Sequence, residues 1–140
     1  MSSSADRWAS DTSVAVAALD PTHAAHTPCR AALVAHRPAL AGHATFEAFS
    51  VLTRLPVPLR LTATQATTVL ASAFPEPCWL DADATRDLYL RLADHEILGG
   101  AVYDALVGEA ARTNGRVLLT RDRRAERTYR SLGVVYRFVA

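Results

Sequence analysis

Short apolar segments alternate with helical patterns along almost the whole chain, and this alternation limits the fold more than any other feature. "RVLLT" (116–120) is the clearest strand. "RDRRAERTYRSL" (121–132) has a helical pattern, Gly133 closes it, and "VVYRFV" (134–139) reads as a last strand. Upstream, "RWAS" (7–10), "ALAGHAT" (39–45) and "PCWL" (77–80) are candidate extended segments, the first a poor one by propensity. Asp11, Thr12 and Ser13 supply N-cap chemistry for a helix through "VAVAAL", which "DPTH" (20–23) breaks. Residues 24–36 form a second helical pattern ended by Pro38, and a third runs from about Thr45 to Arg54, stopped before Pro56 and Pro58. Thr62 caps a helix through residue 74, and Asp81 or Asp83 caps one through "ATRDLYLRLADHEI". Gly99-Gly100 then precedes a helix that carries Asp104 and that Asn114-Gly115 ends. Strands and helices alternating over short connections predict a three-layer α/β/α domain with a central, mainly parallel sheet of four to five strands.

A chain of 140 residues fits one domain over 1–140, with residues 1–6 as a frayed tail. At 50% apolar residues it is not a disordered chain. No apolar run reaches the roughly 18 residues a bilayer requires, and "MSSSADRWASD" has neither the basic start nor the apolar stretch of a secretory signal. A cytoplasmic protein with no membrane partner is expected. Cys29 and Cys78 lack metal-type spacing and read as reduced thiols. All 15 basic residues are arginine. The absence of lysine excludes a P-loop, and it argues against the receiver domains and haloacid-dehalogenase phosphatases that also group aspartates around Mg²⁺. A net charge of +1 implies no partner, but from Arg112 to Arg137 eight arginines accompany only Asp122 and Glu126. That run is either a solvated helix face or a rim that attracts phosphate.

Sites in parallel α/β sheets lie beyond the carboxyl ends of the strands, where helices also begin. Asp11 follows the first candidate strand, Asp122 follows "VLLT", Glu47 lies in the helix after the second extended segment, and Asp104 lies near the start of its helix. Each has a structural explanation: Asp11 and Asp122 as caps, Glu47 on a polar face with Ser50 and Arg54, Asp104 favoured by the helix dipole. Their shared rim favours a joint role. Asp104 shares its helix stripe with Val107 and Ala111, and an unpaired carboxylate in apolar surroundings needs a partner. Clustered carboxylates raise one another's pKa, and a hard divalent ion such as Mg²⁺ or Mn²⁺ removes that conflict. The chemistry such a site supports is metal-dependent hydrolysis of a phosphodiester.

These segments resemble a known family. "ASDTSVAVAAL" resembles the opening Asp-x-Ser segment of PIN domains, and "HATFEAFSVLTRLP" their Glu-x-x-x-x-Leu-x-Arg helix. "GGAVYDALVGEAAR" is similar to their third acidic segment, and "VLLTRDRRAERTYRSLGV" to their Leu-x-Thr-x-Asp segment. Within the family, the length and the "FEAFSVLTRLP" helix look most like VapC toxins of bacterial VapBC toxin–antitoxin systems. The resemblance implies a Mg²⁺-dependent endoribonuclease in which Asp11 and Asp104 are the metal ligands, Glu47 completes the pocket and Asp122 is a fourth acid. It further implies that Ser13 and Thr120 support the carboxylates, that the protein is a homodimer, and that a cognate VapB-type antitoxin covers its site. Glu126, one helical turn beyond Asp122, is an alternative fourth acid. The first strand departs from the family's Val/Ile/Leu-rich pattern.

Other residues receive structural expectations. His23 and His26 have metal-compatible spacing but sit at a proline-containing break, which favours exposed or capping roles. His43 and His95 read as local hydrogen-bonding residues. Trp8 and Trp79 fall in strand candidates and are expected in the core, as are Phe46, Phe49 and Leu52. The apolar residues of 44–55 and 62–74 alternatively form a dimer face or antitoxin groove. Two further functions fit the same residues: a housekeeping PIN nuclease in RNA or DNA processing, and a non-catalytic PIN-like binding module.

Overall fold

A computed structural model describes residues 6–140, so the expected tail over 1–6 lies, except for Asp6, outside the described residues. In chain order the elements are β1 (Trp8–Ser10), α1 (Thr12–Leu19), α2 (His26–His36), β2 (Ala39–Leu40), α3 (Ala44–Leu52), α4 (Ala63–Ala73), α5 (Ala82–Arg91), α6 (Ala101–Thr113), β3 (Val117–Thr120), α7 (Glu126–Ser131) and β4 (Tyr136–Phe138). A 3₁₀ turn, Arg123–Ala125, leads into α7. The four strands form one parallel sheet in the order β2-β1-β3-β4, flanked by the helices, as the predicted three-layer class requires. Ala9 pairs with Ala39 on one side and Leu118 on the other.

The weak first strand forms because its position is central. All three residues of β1 are buried between two neighbours, so tertiary context outweighs the low propensity of "WAS". Small residues suit this place: Ala9, Ala15, Ala17, Ala44, Ala48, Ala105, Ala110 and Ala111 are fully buried and let the helices approach closely. Leu52, Leu88, Leu118 and Leu119 supply the bulk, each contributing roughly 1.5–3 kcal/mol by leaving water. Trp8 is buried as expected, its ring against that of His36 at 4.1 Å. Both cysteines are buried free thiols. Among the described residues no helix is long and apolar enough to cross a membrane.

The structure corrects several local expectations. Residues 77–80 are not a strand. Pro75 and Pro77 lack amide donors, and the segment is tied by isolated bonds instead: Gly42 N–H donates to Cys78 O (2.8 Å) and Asn114 Nδ2 to Trp79 O (2.9 Å). Helix α5, capped by Asp81, ends at Arg91 rather than continuing to Ile97. The chain reverses through Glu96 in the left-handed region (φ 53°), and Ile97 N–H folds back to Leu92 O, burying the isoleucine. Phe46 and Trp79 are not core residues: they are 63% and 49% exposed and meet edge to face at 5.9 Å. The inward stripe of α3 is Ala44, Ala48 and Leu52, which leaves Phe46 on the outer face and Phe49 half-buried.

Candidate functional site

Asp11 is where β1 ends and α1 begins. Its extended backbone makes it the N-cap of α1, and its Oδ1 accepts from Val14 N–H (3.2 Å) and Ser13 Oγ–H (2.6 Å). Ser13 Oγ in turn accepts from Arg121 N–H (2.8 Å), which joins this cap to the end of β3. The other carboxylate oxygen, Oδ2, accepts from the buried hydroxyl of Tyr129 (3.1 Å). Burial pushes the Asp11 carboxyl up, against the opposing effect of hydrogen bonds from Ser13, Thr120, Val14 and Tyr129. Burial and the nearby charges of Asp11 and Asp104 push the Tyr129 hydroxyl far above its ordinary range, so it remains a donor.

Thr12, beside Asp11, donates its hydroxyl to Glu47 Oε1 at 2.8 Å and so couples α1 to α3. Asp122 caps the 3₁₀ turn, accepting from Arg124 N–H (3.0 Å), while its own N–H donates to Thr120 Oγ1 (3.0 Å). Asp104 lies in the first turn of α6. These elements meet at the carboxyl ends of the strands around a pocket of about 480 Å³ lined by Asp11, Glu47, Asp104, Asp122, Arg124 and Tyr129, among others. Asp104 has no side-chain hydrogen-bond partner among the described residues. Burial first, and then the charges of Asp122, Glu47 and Asp11, push its carboxyl up to about 6, only partly offset by Arg124. All four acids therefore share one rim, as the sequence predicted. Glu126 does not line this pocket: it accepts from Tyr136 Oη–H (2.6 Å) and Arg130 Nη2 (3.1 Å).

The Tyr129 ring reaches Asp11 because α6 carries no side chain where the two meet. A Cβ added at Gly108, one turn beyond Asp104, would stand 2.9 Å from Tyr129 Cδ1. Sequence reasoning did not single out Thr12 or Tyr129 as site residues. The spacing of Ala125, Tyr129 and Leu132 gives a signal for an inward ring, though none for the hydroxyl's partner.

The donor set fits a hard cation. It is all oxygen, carries more negative charge than Arg124 balances, and includes one partly buried carboxylate without a partner. Among the described residues no three His, Cys, Asp or Glu side chains close into a ready-made cage. His23 and His26 instead serve local structure: His23 Nδ1 accepts from Ala25 N–H and His26 Nδ1 meets Ala17 O, both at 3.0 Å. His95 Nδ1 meets Ser131 Oγ at 2.8 Å, and the His43 ring stacks on Tyr103.

The arginine-rich run divides by contact. Arg112 is paired with buried Glu109, buried Arg116 binds Trp8 O and Glu76, and Arg121 reaches Val139 O. Arg123 lies over Phe138, Arg137 over Trp8, and Arg130 is held by Glu126. Only Arg124 lines the acidic pocket, and Arg127 lies one helical turn beyond it. Neither a uniform solvated face nor a continuous basic rim describes this run.

A second concavity, of about 620 Å³, is apolar. Leu40, Phe46, Phe49, Leu70, Phe74 and Trp79 line it between α3, α4 and the 75–79 segment. The two concavities have no lining residue in common; a third, of about 420 Å³, is lined by Phe46 of the apolar groove and by Thr12 and Glu47 of the acidic pocket.

The fold and site together define a parallel α/β domain with a pocket that gathers four carboxylates at its strand ends. The PIN domain family profile matches residues 10–131, and the chain belongs to that family. It is similar to Ribonuclease VapC27 of Mycobacterium tuberculosis, with 48% identity over 124 residues, 89% of this chain and 90% of that protein. Ribonuclease VapC40 from two strains of the same species is 44% identical over 129 residues, 90% of this chain and 94% of that protein.

Proposed function

We propose that this chain is a Mg²⁺-dependent endoribonuclease, also served by Mn²⁺, acting in the cytoplasm as the toxin of a type II toxin–antitoxin pair. The observation that carries the reading is the convergence of Asp11, Glu47, Asp104 and Asp122 on one pocket, with Asp104 left without a hydrogen-bond partner among the described residues. The names of the relatives, which are VapC ribonucleases, support RNA as substrate and a VapB-type antitoxin as partner.

In this reading Asp11 and Asp104 hold the ion. When bound, the ion supplies charge neutralisation at the phosphodiester and an activated water. Every other role falls to the protein. Ser13 and Tyr129 fix the two oxygens of Asp11 so that its orientation is set before any ligand arrives. Glu47, oriented by Thr12, accepts a proton or hydrogen bond at the edge of the pocket. Asp122, held beside Thr120, completes the acidic wall. The apolar groove offers a seat for an antitoxin segment, and an occupant there would lie against α3 beside Glu47. A homodimer is part of the same proposal.

The purified protein should cut total cellular RNA with Mg²⁺ or Mn²⁺ and stop completely on chelation with EDTA, as followed on denaturing gels. In cells, tight induction should arrest growth, and co-expression of a small neighbouring antitoxin gene should restore it. Cleavage that persists in EDTA would overturn the metal-dependent mechanism. Cleavage without growth arrest would favour a housekeeping nuclease.

A further inference from the structure

Next to the acidic pocket lies a smaller cavity of about 310 Å³. It is contiguous with the first, since Ala101 and Arg124 line both. Its charge balance differs from its neighbour's: one carboxylate, Glu96, lines it against two arginines, where four carboxylates face Arg124 alone in the acidic pocket. Arg124 and Arg127 bring two guanidinium groups, and Ser131 and His95 bring a hydroxyl and a ring joined by a 2.8 Å contact. Arg124, Arg127 and Ser131 stand three and four residues apart, a spacing that places them on one side of the 3₁₀ turn and α7. Arg124 is drawn toward Asp122, with both contacts long at 3.4 Å. Among the described residues Arg127 has no ion pair, hydrogen bond or aromatic partner, whereas the other arginines of the 112–137 run are engaged with the protein or line the acidic pocket.

We infer that this cavity is a phosphate subsite, holding the RNA backbone phosphate next to the scissile one through Arg127 and Arg124, with Ser131 and His95 as further polar contacts. The inference rests on the endoribonuclease reading and deepens it. A polyanion drawn to a pocket of four carboxylates meets repulsion there, so a cationic contact one phosphate away is where binding free energy is gained. The arginine fork matches the oxygens of a phosphodiester. Because Arg127 stands outside the acidic pocket, it contributes to holding substrate and not to the chemical step.

The test compares Arg127→Ala with wild type, and with Arg130→Ala as a control that removes the same charge from the same helix. Two measurements are made: initial rates of cleavage of total cellular RNA with Mn²⁺ across RNA concentration, and binding of a fluorescein-labelled single-stranded RNA 12-mer in EDTA across salt. Arg127→Ala should raise the half-saturating RNA concentration about 5–10-fold with kcat within about twofold, and should lower the slope of log K against log salt by about 0.7, one phosphate contact on a single strand. Arg130→Ala should match wild type in both. Arg127→Lys should recover part of the loss. Wild type that cuts RNA while Arg127→Ala is indistinguishable from it, or while Arg130→Ala falls equally, overturns the subsite alone. A loss confined to kcat overturns it too. Wild type that neither binds nor cuts RNA overturns the nuclease reading and the subsite with it.

Discussion

Asp104→Asn should leave a folded protein that no longer cuts RNA or arrests growth. The substitution keeps size and shape but removes the one carboxylate of the site that accepts no hydrogen bond among the described residues. A bound divalent ion is worth several kcal/mol of charge stabilisation in such a reaction, so loss of its ligand should reduce the cleavage rate by about 10³-fold. The same variant separates binding from chemistry. A ligand that binds only the folded state stabilises it by about 2.7 kcal/mol at a hundred times its dissociation constant. Mn²⁺ should therefore raise the Tm of wild type and leave Asp104→Asn nearly unmoved. Without metal the order reverses. The Asp104 carboxyl has a folded-state pKa raised to about 6 from 3.8, so its favourable contribution is present below about pH 4 and is lost as pH rises through 6. Discounted for its half-exposed position, the effect is on the order of 1 kcal/mol. Metal-free Asp104→Asn should thus melt a few degrees above wild type at pH 7 and level with it at pH 4. Equal cleavage and equal toxicity of the two proteins would remove Asp104 from the site.

Glu109→Ala should produce the largest loss of stability. Glu109 is a fully buried acid on the helix that carries Asp104, and its two oxygens are held by Arg112 Nε (2.7 Å) and Nη2 (2.8 Å), with Arg91 Nη2 from α5 as the third donor. Burial alone would raise this carboxyl, but the hydrogen bonds and charges of Arg112 and Arg91 outweigh it and hold the group below its ordinary 4.5. Removing one member of a buried pair costs about 3–5 kcal/mol. The lower end applies here, because the Arg91 and Arg112 side chains are 28% and 40% exposed and can turn to water. Chemical denaturation at pH 7 should show a loss of about 3 kcal/mol, while cleavage per folded molecule stays near wild type. The sign with pH follows from the lowered pKa. The pair stabilises above pH 4.5, so the gap between variant and wild type should narrow as pH falls below it. A loss under about 1 kcal/mol would mean that α5 is held to α6 by packing alone.

The acidic site was legible in the sequence because each acid sits next to a boundary. Asp11 and Asp122 follow strands, while Glu47 and Asp104 stand early in helices, and in a parallel sheet those boundaries share one rim. The hydroxyls that orient the acids were less legible. Thr12 meets Glu47 across 35 residues and Tyr129 meets Asp11 across 118, distances over which periodicity carries no information. The same limit hid the fate of the arginines, whose partners Trp8 and Glu76 are remote in the chain. Residues 77–80 read as a strand from composition, but Pro75 and Pro77 cannot donate to a ladder, so the segment makes only isolated bonds although β2 leaves its outer edge free. Phe46 was misjudged by helix phase: alanines at 44 and 48 form the true inner stripe, and an apolar scale ranks them below a phenylalanine.

The central place of β1 sets the timing of assembly. Ala9 meets Ala39 early in the chain, but its other neighbour, Leu118, is 109 residues away (118 minus 9). Contacts of such long sequence separation are slow to form. During refolding, the fluorescence of Trp8 in a Trp79→Phe background should therefore lag behind the far-ultraviolet signal of the helices. On the ribosome, Asp11 has no seam to close against until β3 has been made, and Asp122 follows β3 directly. Synthesis of this protein thus contains its own delay: the four acids first meet only after β3 and Asp122 have been made, well after α3 and α4, which line the apolar groove.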